Sequence, residues 1–147
     1  MVGHPSSVRP TGLSVDDFIA ANDPDGSLTT IDRVITAALP GAARVLWKGR
    51  FWGGTDQSII GYGNIVQRPP QGKTAEWFLI GLARQKQHLS LYVNAVEDGA
   101  YLSHAYGARL GRAKLGSASV SFKSADDLTL DVLDEMVRHA GRTMEWR

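Results

Sequence analysis

The chain has 147 residues and a mass of 15.9 kDa, a length typical of one domain with a substantial hydrophobic core. It contains no cysteine, which excludes a disulfide framework, a thiolate metal site and a cysteine nucleophile. The formal net charge of +1 provides no global attraction to nucleic acid or to an anionic membrane, so neither partner is expected.

The first twelve residues combine proline, serine and glycine without hydrophobic periodicity. They predict a flexible tail, residues 1–12, before a single domain of residues 13–147. The tail lacks the apolar stretch of a signal peptide, and the longest apolar run is residues 77–83. A helix that spans a membrane needs roughly 20 apolar residues. The sequence therefore predicts a cytoplasmic protein without a membrane segment.

Two helices are predicted at the start of the domain. Ser14 stands before Asp16 and Asp17, and a serine followed by acidic residues favours the first turn of a helix. Apolar residues at positions 28, 31, 34, 35 and 39 have the spacing of an amphipathic helix, from about Leu28 to Leu39. The following Pro40 and Gly41 end this second helix.

Strand patterns dominate the middle of the chain, in residues 44–48, 57–66, 74–84, 88–96 and 117–123. The third of these segments is apolar in both alternating sets, which predicts a central strand covered on two sides. A helix is expected at about residues 100–110, and Asp126 or Asp127 introduces the last helix. The element order α-α-β-β-β-β-α-β-α predicts an α+β fold: a five-stranded, mostly antiparallel sheet with helices mainly on one face.

The polar side of this sheet is the predicted functional surface. Residues 44–123 carry eleven basic and four acidic side chains, whereas both flanking segments are acidic. Alternation and strand ends assign eight residues to the surface: Lys48, Arg84, Lys86, His88, Ser90, Tyr92, Ser121 and Lys123. An electropositive sheet face suits a small anionic ligand or an acidic protein partner. A solvated face, or one closed by a homodimer, is the alternative.

An aromatic loop is predicted beside this sheet. Phe51 and Trp52 lie in a glycine-rich turn between Lys48 and Gly54, rather than inside a strand pattern. Aromatic residues of strands usually belong to the core, but these two could anchor a partner or cover the core.

Acidic residues cluster near the start of the last predicted helix. The candidate ligands are Asp127, Asp131, Asp134 and Glu135, with spacings that allow several to share one helix face. Hard oxygen ligands could bind iron weakly, but acidic residues also stabilise the beginning of a helix through capping and the helix dipole. The sequence predicts no required cofactor and leaves iron as an option.

Recognised catalytic motifs are absent from the sequence. There is no Gly-x-Ser-x-Gly elbow and no His-Glu-x-x-His, and the four histidines are dispersed along the chain. The sequence therefore favours a non-catalytic domain that binds a small ligand or a protein.

Several stretches share order and spacing with a known family. The strongest is residues 77–93, and Val45-Leu46-Trp47 and Val120-Ser121-Phe122-Lys123 add to it. In these residues the chain resembles the YdhG-like domain family, a domain of unknown function with some members described as frataxin-like iron chaperones. The resemblance covers about residues 14–140 and implies an α+β sheet domain. It also implies the alternative function of an iron-binding chaperone that uses the acidic helix.

Overall fold

The computed structural model describes residues 8–50, 56–67 and 74–147. The helices of these segments are α1 (Val15–Asn22), α2 (Ser27–Ala38), α3 (Leu102–Tyr106) and α4 (Leu130–Thr143), with short 3-10 helices at Gly107–Arg109 and Ala125–Asp127. The strands are β1 (Arg9–Pro10), β2 (Arg44–Arg50), β3 (Asp56–Gln67), β4 (Ala75–Arg84), β5 (Leu89–Val93), β6 (Val96–Glu97), β7 (Ala100–Tyr101), β8 (Lys114–Leu115) and β9 (Ser119–Phe122).

Seven strands form one antiparallel sheet in the order β1-β2-β3-β4-β5-β9-β8, and β6 and β7 form a separate hairpin. The predicted α+β class is confirmed. The predicted count of five strands is wrong, since β1 and β8 are edge strands of two residues each. Two residues are too few to produce a visible alternation, so only backbone pairing identifies these strands. The helix predicted at about residues 100–110 is also shorter, because Ala100 and Tyr101 form β7 and α3 begins only at Leu102.

The N-terminal edge of the sheet begins inside the predicted tail. Val8 is fully buried, Arg9 and Pro10 pair with Lys48 and Trp47, and the Thr11 amide donates to the Leu46 carbonyl at 3.0 Å. Proline is tolerated here because an edge strand has one side without ladder partners. The predicted tail is therefore wrong from Val8 onward, and residues 1–7 lie outside the described residues.

Three strand residues tie the sheet to the helices and define its inner face. Arg44 donates two hydrogen bonds to Asp32 of α2, at 3.0 and 2.9 Å, and the Tyr62 hydroxyl donates to the same carboxylate at 2.7 Å. Arg84 forms an ion pair with Asp25, in the turn before α2, at 2.7 Å. Burial raises the pKa of Tyr62, and the charge of Asp32 raises it further. On each strand, the residues next to these three point to the opposite side of the sheet, and we call that side the outer face.

Helix boundaries follow local capping. The Ser14 side chain accepts a hydrogen bond from the Asp17 amide, which confirms the predicted start of α1. The last helix begins later than predicted, at Leu130, because Asp127 belongs to a 3-10 helix that ends before it. Across residues 8–50, 56–67 and 74–147, none of the helices is both long and apolar enough to span a membrane.

The middle of the sheet is the densest part of the core. β4 is the fourth of the seven strands, and all its residues from Trp77 to Ala83 are buried. This confirms the prediction of a central strand covered on both sides. On the helical side, Leu133, Met136, Val137 and Ala140 of α4 are fully buried.

Candidate functional site

An open groove of about 820 Å³ lies where β8 and β9 meet the beginning of β5. We call it the basic groove. The polar residues with side chains or backbone along it are Gln87, His88, Arg112, Lys114, Ser119, Ser121, Lys123 and Asp127. Its volume lies within the range of roughly 300–1,000 Å³ that small-molecule sites occupy.

Sheet register brings the side chains of the groove together. Ser121 of β9 pairs with Lys114 on one side and with Ser90 on the other. The pair Leu89–Phe122 ends the β5–β9 ladder, and His88 and Lys123 come directly after it, both lining the groove. Because alternate residues of a strand share a face, Ser119, Ser121 and Lys123 point to the same side of β9. This side is the outer face. Ser121 and Ser119 pair with Ser90 and Tyr92 of β5, and these alternate along β5 with Leu89 and Leu91, which point to the inner face.

The charge of the groove is strongly unbalanced. Arg112, Lys114 and Lys123 contribute three full positive charges, and Asp127 contributes the one negative charge among the groove residues. The Asp127 side chain is only 16% exposed and already has partners: its Oδ2 accepts from the amides of Lys123 and Ser124 at 3.1 and 3.4 Å. Its Oδ1 lies 3.3 Å from an Arg112 guanidinium nitrogen. The carboxylate is thus used by local amides and the largely exposed Arg112, and the two lysines have no acidic partner in the described residues.

Several hydrogen-bond donors of the groove have no protein partner. Within residues 8–50, 56–67 and 74–147, the side chains of Lys114, Ser119, Ser121 and Lys123 make no hydrogen bond or ion pair. Ammonium groups only donate hydrogen bonds, and hydroxyl groups can donate one. The groove thus presents donors to a molecule that enters it, and such a molecule must supply acceptors.

The far end of the groove is fixed by α3. His104 Nε2 lies 3.0 Å from the Gly116 carbonyl oxygen and 2.8 Å from that of Ser117. Carbonyl oxygens only accept, so Nε2 carries the proton and donates to both. The Gly116 amide donates to the Ser119 carbonyl at 2.8 Å and closes the turn between β8 and β9. Hydrogen bonds from His104 and within the β8–β9 hairpin therefore fix the turn beside the groove.

Three of the eight predicted surface residues line the basic groove: His88, Ser121 and Lys123. Ser90 is buried, at 5% exposure, and cannot serve as an open contact. Tyr92 is half-buried with its ring 6.4 Å from that of Phe78, edge to face, and burial raises its pKa. These two residues stand on the predicted face, but next to the aromatic core rather than in the groove.

The remaining three predicted residues lie elsewhere, so the predicted surface is not one surface. Arg84 is on the inner face, where its guanidinium lies 2.7 Å from Asp25 and 3.7 Å from Asp23. Lys48 is exposed on β2, which lies at the far end of the sheet from β9. Lys86 is exposed in the turn between β4 and β5. Position at a strand end did not determine which face a side chain reaches, because the register of the partner strands decides this.

Sequence reasoning missed Arg112, Lys114 and Ser119 as site residues. The first two form a short basic segment, and Ser119 alternates with Ser121 and Lys123, so the pattern was present. What the sequence did not reveal is β8, the two-residue strand that turns Lys114 toward Ser121.

The predicted acidic metal site does not assemble. Asp127 lies outside α4 and is held by Arg112, Asp134 pairs with Arg138 at 3.0 Å, and Glu135 pairs with Arg109 at 2.8 Å. Within the described part of the chain, no three His, Asp or Glu side chains are grouped so that they could hold a metal ion. Asp131 is exposed at the start of α4, where a negative charge stabilises the helix. The predicted loop residues Phe51 and Trp52 lie outside the described residues.

A second polar cluster connects α3, α4 and the β6–β7 hairpin. The Tyr106 hydroxyl lies 2.8 Å from His139 Nδ1, and His139 Nε2 lies 3.0 Å from a Glu97 carboxylate oxygen. The carboxylate accepts, so Nε2 donates, and in the neutral imidazole Nδ1 accepts from Tyr106. Both nitrogens have partners, which makes this cluster a structural connection between the three elements.

Comparison of the chain with protein-family models, with curated proteins and with solved structures gives no significant match. The resemblance to the YdhG-like family stays a prediction from the residues that carry it.

Proposed function

We propose that this domain is a non-catalytic binding module that holds a small anionic ligand in the basic groove. The observation that carries the proposal is the meeting of Arg112, Lys114 and Lys123 around one concavity whose single carboxylate already has its partners. Uncompensated cations in a concave site concentrate electrostatic potential there and attract anions. The proposed location is the cytoplasm, which suits a chain without cysteine.

A small ligand fits this site better than an acidic protein. The groove is concave and has the volume of a small-molecule site, and the residues around it come from the short strands β8 and β9 and the segments beside them and before β5. A protein interface of standard size buries about 800 Å² per partner and needs a broader surface. An acidic protein or a second copy of the chain is therefore an alternative outcome of the binding tests.

Binding, rather than catalysis, is proposed because the groove contains donors without an organised nucleophile. His88 and the hydroxyls of Ser119 and Ser121 lie along the same groove, but in the described residues no hydrogen bond joins the imidazole to either hydroxyl. An activated serine needs such a bond to a base. No cofactor is required for the proposed role.

The test is an NMR titration of the amide signals with inorganic phosphate and with citrate at constant ionic strength. We expect saturable shifts at residues 112–123 and at His88. The double variant Lys114→Glu with Lys123→Glu should weaken binding at least about tenfold, because two attractive charges become repulsive. The matched control is Arg33→Glu with Arg142→Glu, which changes net charge equally at exposed positions of α2 and α4.

Two results would overturn the proposal. One is equal anion affinity in the groove variant and the control variant, which would mean that only net charge matters. The other is the absence of saturable shifts in the groove with either anion. The iron-chaperone hypothesis stays a prediction of the family resemblance, and its own test is given in the Discussion.

A further inference from the structure

The basic groove differs chemically between its two ends. At the end where β9 leads into the Ala125–Asp127 helix, the groove residues include His88, Lys123 and Arg112, whose guanidinium lies 3.3 Å from Asp127. We call this the head end. At the other end, the groove residues are Leu115, Gly116 and Ser119, beside the turn that His104 holds, and we call this the body end. Lys114, opposite Ser121, lies between the two.

The two ends are too far apart for one small anion. Ser119 begins β9 and Lys123 directly follows its last residue, so at about 3.3 Å per residue their backbones are about 13 Å apart. A phosphate held between Arg112 and Lys123 therefore leaves the Ser119 hydroxyl free for another part of the ligand. A ligand that uses the whole groove is therefore elongated, with its charge concentrated at the head end.

The donors of the head end suit a phosphate group. Arg112 keeps guanidinium donors beyond the nitrogen near Asp127, and Lys123 adds a point charge beside it. Arginine and lysine together provide charge-assisted hydrogen bonds for the several oxygens of a dianion. The body end presents the Ser119 hydroxyl, backbone and the partly exposed Leu115 side chain, without a cation among the groove residues. This end suits a neutral portion with hydroxyl groups.

We infer that the ligand is a phosphate monoester of a small hydroxylated molecule, with its phosphate at the head end and its neutral portion beside Ser119. This inference rests on the proposed function, because it assumes that the basic groove is the binding site. It adds the class of ligand and the direction in which the ligand lies.

The experiment compares four probes by calorimetry and by amide shifts: inorganic phosphate, ribose 5-phosphate, citrate and a hexaglutamate peptide. Ribose 5-phosphate should bind at least about tenfold more tightly than inorganic phosphate, since it adds contacts at the body end. Ser119→Ala should weaken ribose 5-phosphate about threefold to tenfold, the effect of one hydrogen bond, and leave inorganic phosphate unchanged. Lys123→Gln should weaken both.

The matched control is Ser117→Ala, which removes an exposed hydroxyl from the same turn outside the groove. It should change neither affinity. Equal binding of inorganic phosphate and ribose 5-phosphate would overturn the inference, as would an equal effect of Ser117→Ala and Ser119→Ala. If citrate binds the groove more tightly than ribose 5-phosphate, the proposed function stands and the inference fails. If hexaglutamate binds most tightly, the acidic-protein alternative replaces both the proposed function and the inference. If none of the four probes binds, the proposed function fails as well.

Discussion

The outer face of the sheet divides into two halves of different chemistry. On β2, β3 and β4 it carries Trp47, Ile59 and Ala83, and the Phe78 ring packs against Trp47 and Gly81 on this side; each of these four residues is at most 2% exposed. On β5, β9 and β8 the corresponding positions are filled by hydroxyl, imidazole and ammonium side chains, and the basic groove lies there. One continuous backbone ladder therefore supports an apolar half and a polar half.

Glycines explain how the apolar half packs. Gly61 and Gly81 pair across β3 and β4, and a Cβ on Gly81 would clash with the Phe78 ring. A Cβ on Gly61 would lie 2.6 Å from Trp47 Nε1. The two rings thus rest directly on the glycine backbone, and their centroids are 5.5 Å apart, edge to face.

The difference between the halves separates stability from binding. In the apolar half, every substitution disturbs close packing, so this half holds the fold. In the polar half, Lys114, Ser119, Ser121 and Lys123 have no partners within the described segments, so the fold depends little on them. Side chains that the fold does not need are available to a ligand, and the predictions below test this division.

The largest effect is expected for Phe78→Ala in the apolar half. The substitution removes a buried ring that packs against Trp47, Trp77 and the Gly81 backbone. The free energy of unfolding should fall by about 3–5 kcal/mol, as measured by denaturant titration.

The matched substitution in the polar half is Ser121→Ala. It should change the free energy of unfolding by no more than about 0.5 kcal/mol, because the hydroxyl is half-exposed and lacks a partner in the described residues. Comparable losses for Phe78→Ala and Ser121→Ala would contradict the division of the outer face.

An effect smaller than that of Phe78→Ala, a loss of about 1–3 kcal/mol in the free energy of unfolding, is expected for Arg84→Glu. Arg84 and Lys86 are close in sequence, but Arg84 is on the inner face beside Asp23 and Asp25. Asp23 is only 6% exposed and accepts the Leu28 and Thr29 amides at the start of α2, so a new negative charge would destabilise this helix. Lys86→Glu, in the exposed turn, is the control and should leave the thermal midpoint almost unchanged. Equal effects of the two variants would show that Arg84 is not a structural residue.

Tyr92 stands at the border of the two halves, and its ionisation reports which half it belongs to. Burial raises its pKa above the ordinary value of 10.0. Above pH 10 the unfolded chain loses this proton first, so the folded state binds more protons and its stability falls as the pH rises. Tyr92→Phe should reduce this alkaline loss of stability, measured as the thermal midpoint between pH 9 and 11. It should also remove a late step from the tyrosine absorbance titration. If the thermal midpoint of Tyr92→Phe falls with pH as steeply as that of the unmodified protein, Tyr92 belongs to the polar half.

A small effect is also expected for Asp131→Asn with Glu135→Gln on α4. The Arg109–Glu135 ion pair is half-exposed, with both side chains at 53%, so its loss should cost at most about 1 kcal/mol. Titration with ferrous iron under anaerobic conditions tests the chaperone hypothesis on the same proteins. Since the acidic side chains do not group, we expect no saturable binding that these substitutions abolish. Tight iron binding that is lost in the double variant would restore the hypothesis and contradict the ion-pair interpretation.

The candidate site was predictable in part. His88, Ser121 and Lys123 follow from the alternation of β5 and β9, because a strand with one buried face shows a period of two. Arg84 was misplaced, since its side chain follows the register of β4 against β5 rather than its position in a turn. Asp127 was placed on a helix by its spacing, but its carboxylate instead binds local amides and forms a capping box with Ser124.

The sequence by itself determined the α+β class, the start of α1, and the buried centre of β4, because these depend on local caps and on continuous or periodic apolar runs. Only the tertiary structure decided the edges of the sheet and the composition of the basic groove. β1 is held by pairing with the remote strand β2 and β8 by hairpin pairing with β9, and strands of two residues leave no alternation in the sequence. Arg112 and Lys114 meet Lys123 for the same reason: antiparallel pairing brings them together, and pairing between strands is a property of the folded chain.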